Sequence, residues 1–174
     1  QSITLPSNLS TLSTLKELDI VNISLALFSD FDKLEALEHL KVIDASIGRI
    51  PQTTNQWPEL KSLELSNVNI RGAGHIPDVF EQMNNLELVY IGETRVTTTA
   101  QLNIYKAPNL KELTFSFCEL TDIQDGIGDL TTLEKLIIQA DLSNTVSPIA
   151  LPQSLGTLTN LKSIFLSTGS LEFP

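Results

Sequence analysis

The 174-residue sequence contains a single cysteine, Cys118, so it cannot form an intrachain disulfide. Basic residues are also scarce, because 11 lysines and arginines stand against 21 aspartates and glutamates, for a formal net charge of −10. Nucleic-acid phosphates are bound by cationic surfaces, so this balance argues against a nucleic-acid partner. No apolar run approaches the length that crosses a bilayer, and we expect no membrane insertion within this segment.

Motifs typical of enzymes are absent as well. The sequence has no glycine-rich phosphate loop, no Gly-x-Ser-x-Gly elbow and no His-Glu-x-x-His pair. A catalytic thiol needs a nearby base, and the chain has only two histidines, His39 and His75. Cys118 is therefore expected to be a small buried residue, as free cysteines usually are. The pattern predicts a non-catalytic protein without a cofactor or a bound metal.

What the sequence does contain is a sevenfold repeat. In each copy a leucine is followed three and five residues later by an aliphatic or aromatic residue, and the copies are spaced by 22 to 28 residues. They begin at Leu15, Leu37, Leu60, Leu86, Leu110, Leu133 and Leu161. A repeat of this length is typical of an open solenoid rather than a closed globule.

We number each repeat from this leucine as position one. Positions four and six are apolar and alternate with polar residues at positions three, five and seven, which indicates a strand with one buried face. Strands are predicted near residues 16–21, 38–43, 61–66, 87–92, 111–116, 134–139 and 162–167. An apolar block with three-residue spacing, often after a proline, precedes each strand and predicts a helical turn or a short 3₁₀ segment.

The Leu-x-x-Leu-x-Leu strands and the Leu-Pro-x-x-Leu-x-x-Leu blocks resemble those of the leucine-rich-repeat family. The resemblance covers nearly the whole chain and implies a single leucine-rich-repeat domain over residues 1–174, as part of a longer protein. It implies an α/β solenoid wound as a right-handed superhelix, with a parallel β-sheet on the concave face and short helical or 3₁₀ turns on the convex face. It also favours a receptor-like protein that is extracellular or at the cell surface.

The sequence departs from the family at position nine, where the family favours asparagine or cysteine. Here the position holds Ile23, Ala45, Val68, Thr94, Cys118, Asp141 and Gly169. A ladder of asparagine side chains is thus mostly missing at position nine. We therefore expect a less regular turn after each strand.

Position two carries a charge of alternating sign in every repeat. The column reads Lys16, Glu38, Lys61, Glu87, Lys111, Glu134 and Lys162. Neighbouring strands lie about 4.8 Å apart, so each charge is expected beside charges of opposite sign. The column either helps to fix the register on a solvated flank or, as the alternative, recognises charges on a partner.

The concave face is expected to consist of positions three, five and seven, with position eight beside it. Position five is charged in the early repeats and apolar or neutral in the later ones. The candidate partner-binding residues are Asp19, His39, Lys41, Glu64, Leu88, Tyr90, Phe117, Ile137 and Phe165. Exposed aromatic residues on a rigid sheet are favoured interface anchors. The alternative is that a following repeat, a loop or mutual contact covers Ile137 and Phe165.

Together these features predict a scaffold that recognises a protein, a peptide or a glycan through its concave face. Neither end of the sequence carries a polar helix or a cysteine cluster of the kind that caps a solenoid. The alternative function is therefore a structural or assembly module that self-associates through open ends or edges.

Overall fold

One large parallel β-sheet organises the fold in a computed structural model that describes residues 8–25, 33–47, 57–70, 80–94, 96, 103–140, 149–167 and 171–172. The strands are β1 (Glu17–Val21), β2 (Ser24–Leu25), β3 (His39–Ile47), β4 (Ser62–Ile70), β5 (Leu88–Gly92), β6 (Glu112–Cys118), β7 (Lys135–Ala140), β8 (Ile149–Ala150), β9 (Ser163–Ser167) and β10 (Leu171–Glu172). The large sheet has the order β1-β3-β4-β5-β6-β7-β9, with β2 beside β3, while β8 pairs with β10. The predicted parallel sheet is confirmed.

Each of the seven main strands begins one residue after its predicted start. Strands β3 and β4 continue beyond the predicted ends, to Ile47 and Ile70. All strand pairs are parallel, and like repeat positions face each other along the main strands, as Leu40 faces Leu63 and Val89 faces Leu113. The exception in the large sheet is the end of β6, where Cys118 at position nine faces Ala140 at position eight. The repeat numbering taken from the sequence is therefore also the register of the sheet.

A shared hydrogen-bond pattern begins every strand pair. The carbonyl oxygen of Lys16 accepts two N–H groups from the next repeat, those of Glu38 at 2.8 Å and His39 at 2.9 Å. The position-two carbonyl of each following repeat likewise accepts the N–H groups of positions two and three of the next repeat. The series ends with Lys162 and Ser163 as donors, and its N–O distances are 2.7 to 3.2 Å. This double acceptance locks the start of each strand to the one before it.

The core lies between the sheet and a row of short turns. The side chains at positions one, four and six are buried in the inner repeats, as for Leu60, Leu63 and Leu65. From the other side, residues of the turns pack into the same cluster, among them Trp57 and Phe80. The leucine spacing thus identifies the buried side chains of the strands, because these side chains form the core.

The described turns opposite the sheet are 3₁₀ segments rather than α-helices. They span Leu9–Thr11, Phe80–Gln82, Ile104–Lys106, Asp125–Asp129 and Gln153–Thr157. This confirms the 3₁₀ form of the predicted turns. No helix in the described part of the chain is long and apolar enough to cross a membrane.

Side-chain amides tie neighbouring repeats together at the residue before position one. Asn85 Nδ2 donates to the carbonyl of Pro58 at 2.9 Å, Asn109 Nδ2 to that of Asn84 at 2.8 Å, and Asn160 Nδ2 to that of Thr131 at 2.7 Å. Each bond satisfies a backbone carbonyl of the preceding turn. The molecule therefore has an asparagine row, at a position that the sequence did not indicate.

The alternating charges at position two form ion pairs across the strands. Lys16 and Lys61 both contact Glu38, each with an N–O distance of 2.6 Å. Lys111 pairs with Glu87 at 2.8 Å, and Lys162 with Glu134 at 2.7 Å. The hydrogen bonds from Lys16 and Lys61 hold the pKa of Glu38 at about 2, below its usual 4.5. The contacts support the register interpretation of this column, although each exposed pair contributes little.

The turns of neighbouring repeats approach each other closely at Gly128. A Cβ atom there would lie 2.8 Å from Ser154 Cβ and Thr157 Oγ1, and 2.9 Å from the Ser154 carbonyl oxygen. Gly156 occupies the same place in the next turn, and a Cβ there would have nothing within 4 Å. A described turn therefore packs against Gly128, whereas no described residue packs against Gly156 in this way.

We predict opposite effects for alanine at these two glycines. Gly128→Ala should lower the free energy of unfolding by about 1–3 kcal/mol, because the Ser154 backbone cannot move aside freely. Gly156→Ala should raise it by about 0.4–1 kcal/mol, because alanine restricts the unfolded chain without a clash. Urea denaturation followed by circular dichroism measures both. Equal effects of the two substitutions would contradict this packing.

Glu38 should make the free energy of unfolding depend on pH in the acid range. Its pKa is lower in the folded protein than in the unfolded chain, so its contribution is complete above pH 4.5 and is lost as the pH falls towards 2. Glu38→Gln should therefore lose less stability than the wild type over that range. The check is the urea midpoint at a series of pH values, repeated in roughly 1 M NaCl, where screening should reduce the difference. An unchanged acid dependence in Glu38→Gln would refute the role of this carboxylate.

Candidate functional site

Six of the nine candidate residues lie in one row across the sheet. The register pairs Asp19 with Lys41, Lys41 with Glu64 and Glu64 with Tyr90. Thr114 follows Tyr90, and the row continues through Ile137 to Phe165. We call this the position-five row. The parallel register thus brings together residues that are distant in the sequence.

His39 and Leu88 occupy the adjacent position-three row, on the same face of the sheet. His39 aligns with Ser62, and Ser62 aligns with Leu88. The Nδ1 atom of His39 lies 2.7 Å from Ser62 Oγ, within hydrogen-bond distance. The register therefore places eight of the nine candidates on one face, which we call the exposed sheet face.

The early half of the position-five row is an ion-paired network rather than an acidic patch. Lys41 Nζ lies 2.9 Å from Glu64 Oε2, and this contact raises the pKa of Lys41. The charge of Asp19 on the neighbouring strand acts on Lys41 in the same direction. A partner would meet a polar surface here on which Lys41 pairs with one of its two neighbouring carboxylates, Glu64, and Asp19 remains without an ion pair to a described residue.

The later half of the row is apolar and partly open to solvent. Phe165 is 51% exposed, while Tyr90 and Ile137 are partly buried. Gly92 stands two residues after Tyr90 on the same strand, and a Cβ on Gly92 would lie 2.6 Å from Tyr90 Oη and 2.7 Å from its Cε1. The Tyr90 ring therefore lies along the strand over Gly92. This arrangement could not be predicted from the sequence, because nothing in the repeat pattern marks Gly92.

The ninth candidate, Phe117, belongs to a row of left-handed residues at position eight. The five residues of this left-handed row, with their φ angles, are Asn22 (57°), Asp44 (50°), Asn67 (48°), Glu93 (49°) and Phe117 (53°). The expectation of a less regular turn after each strand does not hold at position eight, where the same backbone conformation recurs in five successive repeats. Asn67 Nδ2 also donates to Asp44 Oδ1 at 2.7 Å within the row.

The left-handed residue explains which side chains are buried beyond the strand. Simple alternation would point position eight into the core and position nine outwards. The positive φ shifts this phase: Phe117 is 46% exposed while Cys118 beside it is 1% exposed. The register between β6 and β7 is correspondingly irregular between Ser116 and Cys118. All five residues of the row are exposed.

At the described positions Ala45, Val68, Thr94 and Cys118, position nine carries small buried residues instead of an asparagine ladder. Thr94 Oγ1 donates to the Gly92 carbonyl at 2.8 Å, and Cys118 Sγ lies 3.4 Å from the Ile91 carbonyl oxygen. Burial raises the pKa of the Cys118 thiol to about 11. The prediction that Cys118 is a small buried residue is confirmed. Within the described residues, no group of three histidine, cysteine or acidic side chains could hold a metal ion.

Comparison with solved structures shows the fold of the chain. No protein-family model matches the sequence. A leucine-rich-repeat protein of Leptospira interrogans is similar, with a TM-score of 0.70 and 23% identity over 99% of this chain and 48% of that one. The Arabidopsis receptor kinase HAESA, solved with the peptide hormone IDA and the co-receptor SERK1, has a TM-score of 0.67 and 22% identity over 99% and 33%. Listeria monocytogenes InlP has a TM-score of 0.61 and 21% identity over 88% and 39%.

These similarities confirm the leucine-rich-repeat fold. The chain spans about half the length of the Leptospira protein and a third of the plant receptor structure. The plant neighbours include receptors in complex with peptide hormones. The parallel-sheet solenoid fold is therefore common to this chain and these proteins.

The left-handed row yields a stability prediction at Phe117. Asparagine tolerates a positive φ better than residues with bulky side chains, so Phe117→Asn should raise the free energy of unfolding by about 1 kcal/mol. Phe117→Ala removes the ring but keeps a Cβ, which is unfavourable at a positive φ, and it lacks the side-chain amide of asparagine. This variant should therefore not gain stability. Urea denaturation of the two variants measures the difference. Equal stability of Phe117→Asn and Phe117→Ala would show that the backbone conformation is not strained.

Proposed function

We propose that this chain, a leucine-rich-repeat fold, is a non-catalytic recognition scaffold that binds a protein or peptide partner on its exposed sheet face. The position-five row is the observation that carries the proposal. It runs across seven neighbouring strands, from an ion-paired half around Lys41 and Glu64 to an apolar half ending at Phe165. Rigid aromatic side chains bind with little loss of conformational freedom.

The two halves of the row would have different roles in binding. Tyr90, lying over Gly92, and Phe165, half exposed, offer apolar area for burial. Such area contributes roughly 25 cal/mol per Å² removed from water. The ion-paired half exposes polar groups that orient a partner without demanding that it neutralise them. Peptide-hormone binding by similar plant receptors supports a protein or peptide ligand rather than a small molecule.

Alanine substitution in the apolar half tests this proposal. Peptides selected from a random-sequence display library on the immobilised chain serve as the probe, and isothermal calorimetry measures their affinity. Tyr90→Ala and Phe165→Ala should each weaken binding by roughly tenfold or more. Leu12→Ala is the matched control, because Leu12 is 46% exposed but lies after the first 3₁₀ turn. Unchanged affinity in Tyr90→Ala and Phe165→Ala would remove the apolar half from the binding site.

Gly92→Ala refines the same test without removing an aromatic ring. An added Cβ would force the Tyr90 ring off the strand, since the two would otherwise be 2.6 Å apart. We expect weaker peptide binding with little loss of stability, because an exposed ring can rotate away. Full affinity in Gly92→Ala would mean that the orientation of Tyr90 is unimportant.

Assembly through the edges is the second candidate function. Ile164 on β9 is 45% exposed, whereas Leu136 and Leu113 at the same repeat position are fully buried. An exposed apolar strand edge can pair with another chain. Sedimentation velocity distinguishes the two functions, because a chain that remains monomeric at micromolar concentration does not assemble in this way.

A further inference from the structure

The exposed sheet face has more carboxylates than its own lysines can neutralise. Six lysines lie on the sheet face or its flank, and every one forms an ion pair with a carboxylate of a neighbouring strand. Five carboxylates are engaged in those pairs, with Glu38 serving two lysines. Four further carboxylates form no ion pair with any described residue: Glu17, Asp19, Asp44 and Glu93. The net charge that this face offers a partner is therefore negative.

The four carboxylates do not have equivalent surroundings. Asp19 is close enough to Lys41 to affect its pKa, and Asp44 accepts a hydrogen bond from Asn67. Glu93 is exposed and belongs to the left-handed row, next to Phe117. The two residues follow Gly92 and Ser116, which face each other in the sheet, and the Glu93 N–H donates to the Ser116 carbonyl at 2.8 Å. Their backbones are thus one strand spacing apart, about 4.8 Å.

The conformation of Glu93 and Phe117 is one that their side chains do not favour. The three preceding members of the row, Asn22, Asp44 and Asn67, are of the types that tolerate a positive φ. Glu93 and Phe117 have the same backbone but lack the short polar side chain that suits it. An exposed residue kept in an unfavourable conformation points to a role in function rather than in folding.

We infer that the Glu93–Phe117 pair binds an arginine side chain of the protein or peptide partner, an inference that rests on the proposed function. An arginine guanidinium can stack on an aromatic ring while its N–H groups donate to a carboxylate. Glu93 supplies the carboxylate and Phe117 the ring, on adjacent strands and with no lysine of the described sheet paired to Glu93. The partner is thus a basic segment that reaches the carboxyl-terminal edge of the strands beside the apolar half of the position-five row.

The sharpest test combines a change in the protein with a change in the probe. The probe is an arginine-containing peptide selected from the display library, together with its citrulline version, which keeps the shape but loses the charge. Glu93→Gln should weaken binding of the arginine peptide by roughly fivefold or more and leave the citrulline peptide almost unaffected. Affinity of the wild type for the arginine peptide should also fall more steeply with salt than that of Glu93→Gln.

Two further variants separate this role from a general effect of charge or folding. Asp129→Asn removes the same charge from an exposed residue of the turn Asp125–Asp129, and it should leave the affinity unchanged. Phe117→Asn should weaken binding of the arginine peptide while it stabilises the fold. A residue with only a structural role would not move stability and affinity in opposite directions.

The outcomes distinguish this inference from the proposed function. Selected peptides that depend on Tyr90 and Phe165, but lose nothing when arginine becomes citrulline, would overturn the inference and leave the proposed function intact. Additive effects of Glu93→Gln and citrulline would likewise overturn it. If Glu93→Gln weakens binding of the arginine peptide alone, while Tyr90→Ala and Phe165→Ala have no effect, the inference is supported and the role of the position-five row in binding is refuted. A library that yields no peptide binding would overturn both.

Discussion

The pairing of like positions across parallel strands is the constraint on which the rest of the structure depends. It begins at position two, where one backbone carbonyl accepts two N–H groups of the next repeat from Lys16 onwards. Because side chains alternate along a strand, a slip of one residue would turn the leucines outwards. The same register aligns the ion pairs of Glu38 and the position-five row, so packing, electrostatics and the candidate site have one geometric origin.

The left-handed residue at position eight interrupts the alternation of buried and exposed side chains at the end of the strand. By shifting the phase of the chain it buries position nine, including Cys118, and turns position eight towards solvent. In the left-handed row, Asn22 and Asn67 suit the backbone conformation that the fold requires. Phe117 adopts the same conformation although it lowers the stability of the fold.

The chemistry of the exposed face follows from how its charges are distributed. Lysines such as Lys41 and Lys135 are satisfied by neighbouring strands, at 2.9 and 3.1 Å from Glu64 and Glu112. Apolar side chains dominate the later repeats, and the carboxylates that remain without a lysine give the face a negative excess. The partner that we propose for this surface combines apolar residues with positive charge and lies along the rows.

The sequence by itself determined the repeat, the identity of the buried positions and the members of the position-five row, because leucine periodicity is local and burial follows it directly. It also predicted the alternating charge column. Only the tertiary structure decided that a left-handed residue recurs at position eight of five repeats, that Asn85, Asn109 and Asn160 form the asparagine row, and that Tyr90 lies over Gly92. It alone decided that Glu38 bridges two lysines, while Glu93 pairs with no lysine among the described residues. These features depend on backbone angles and on contacts between repeats, which a one-dimensional pattern of residue types does not encode.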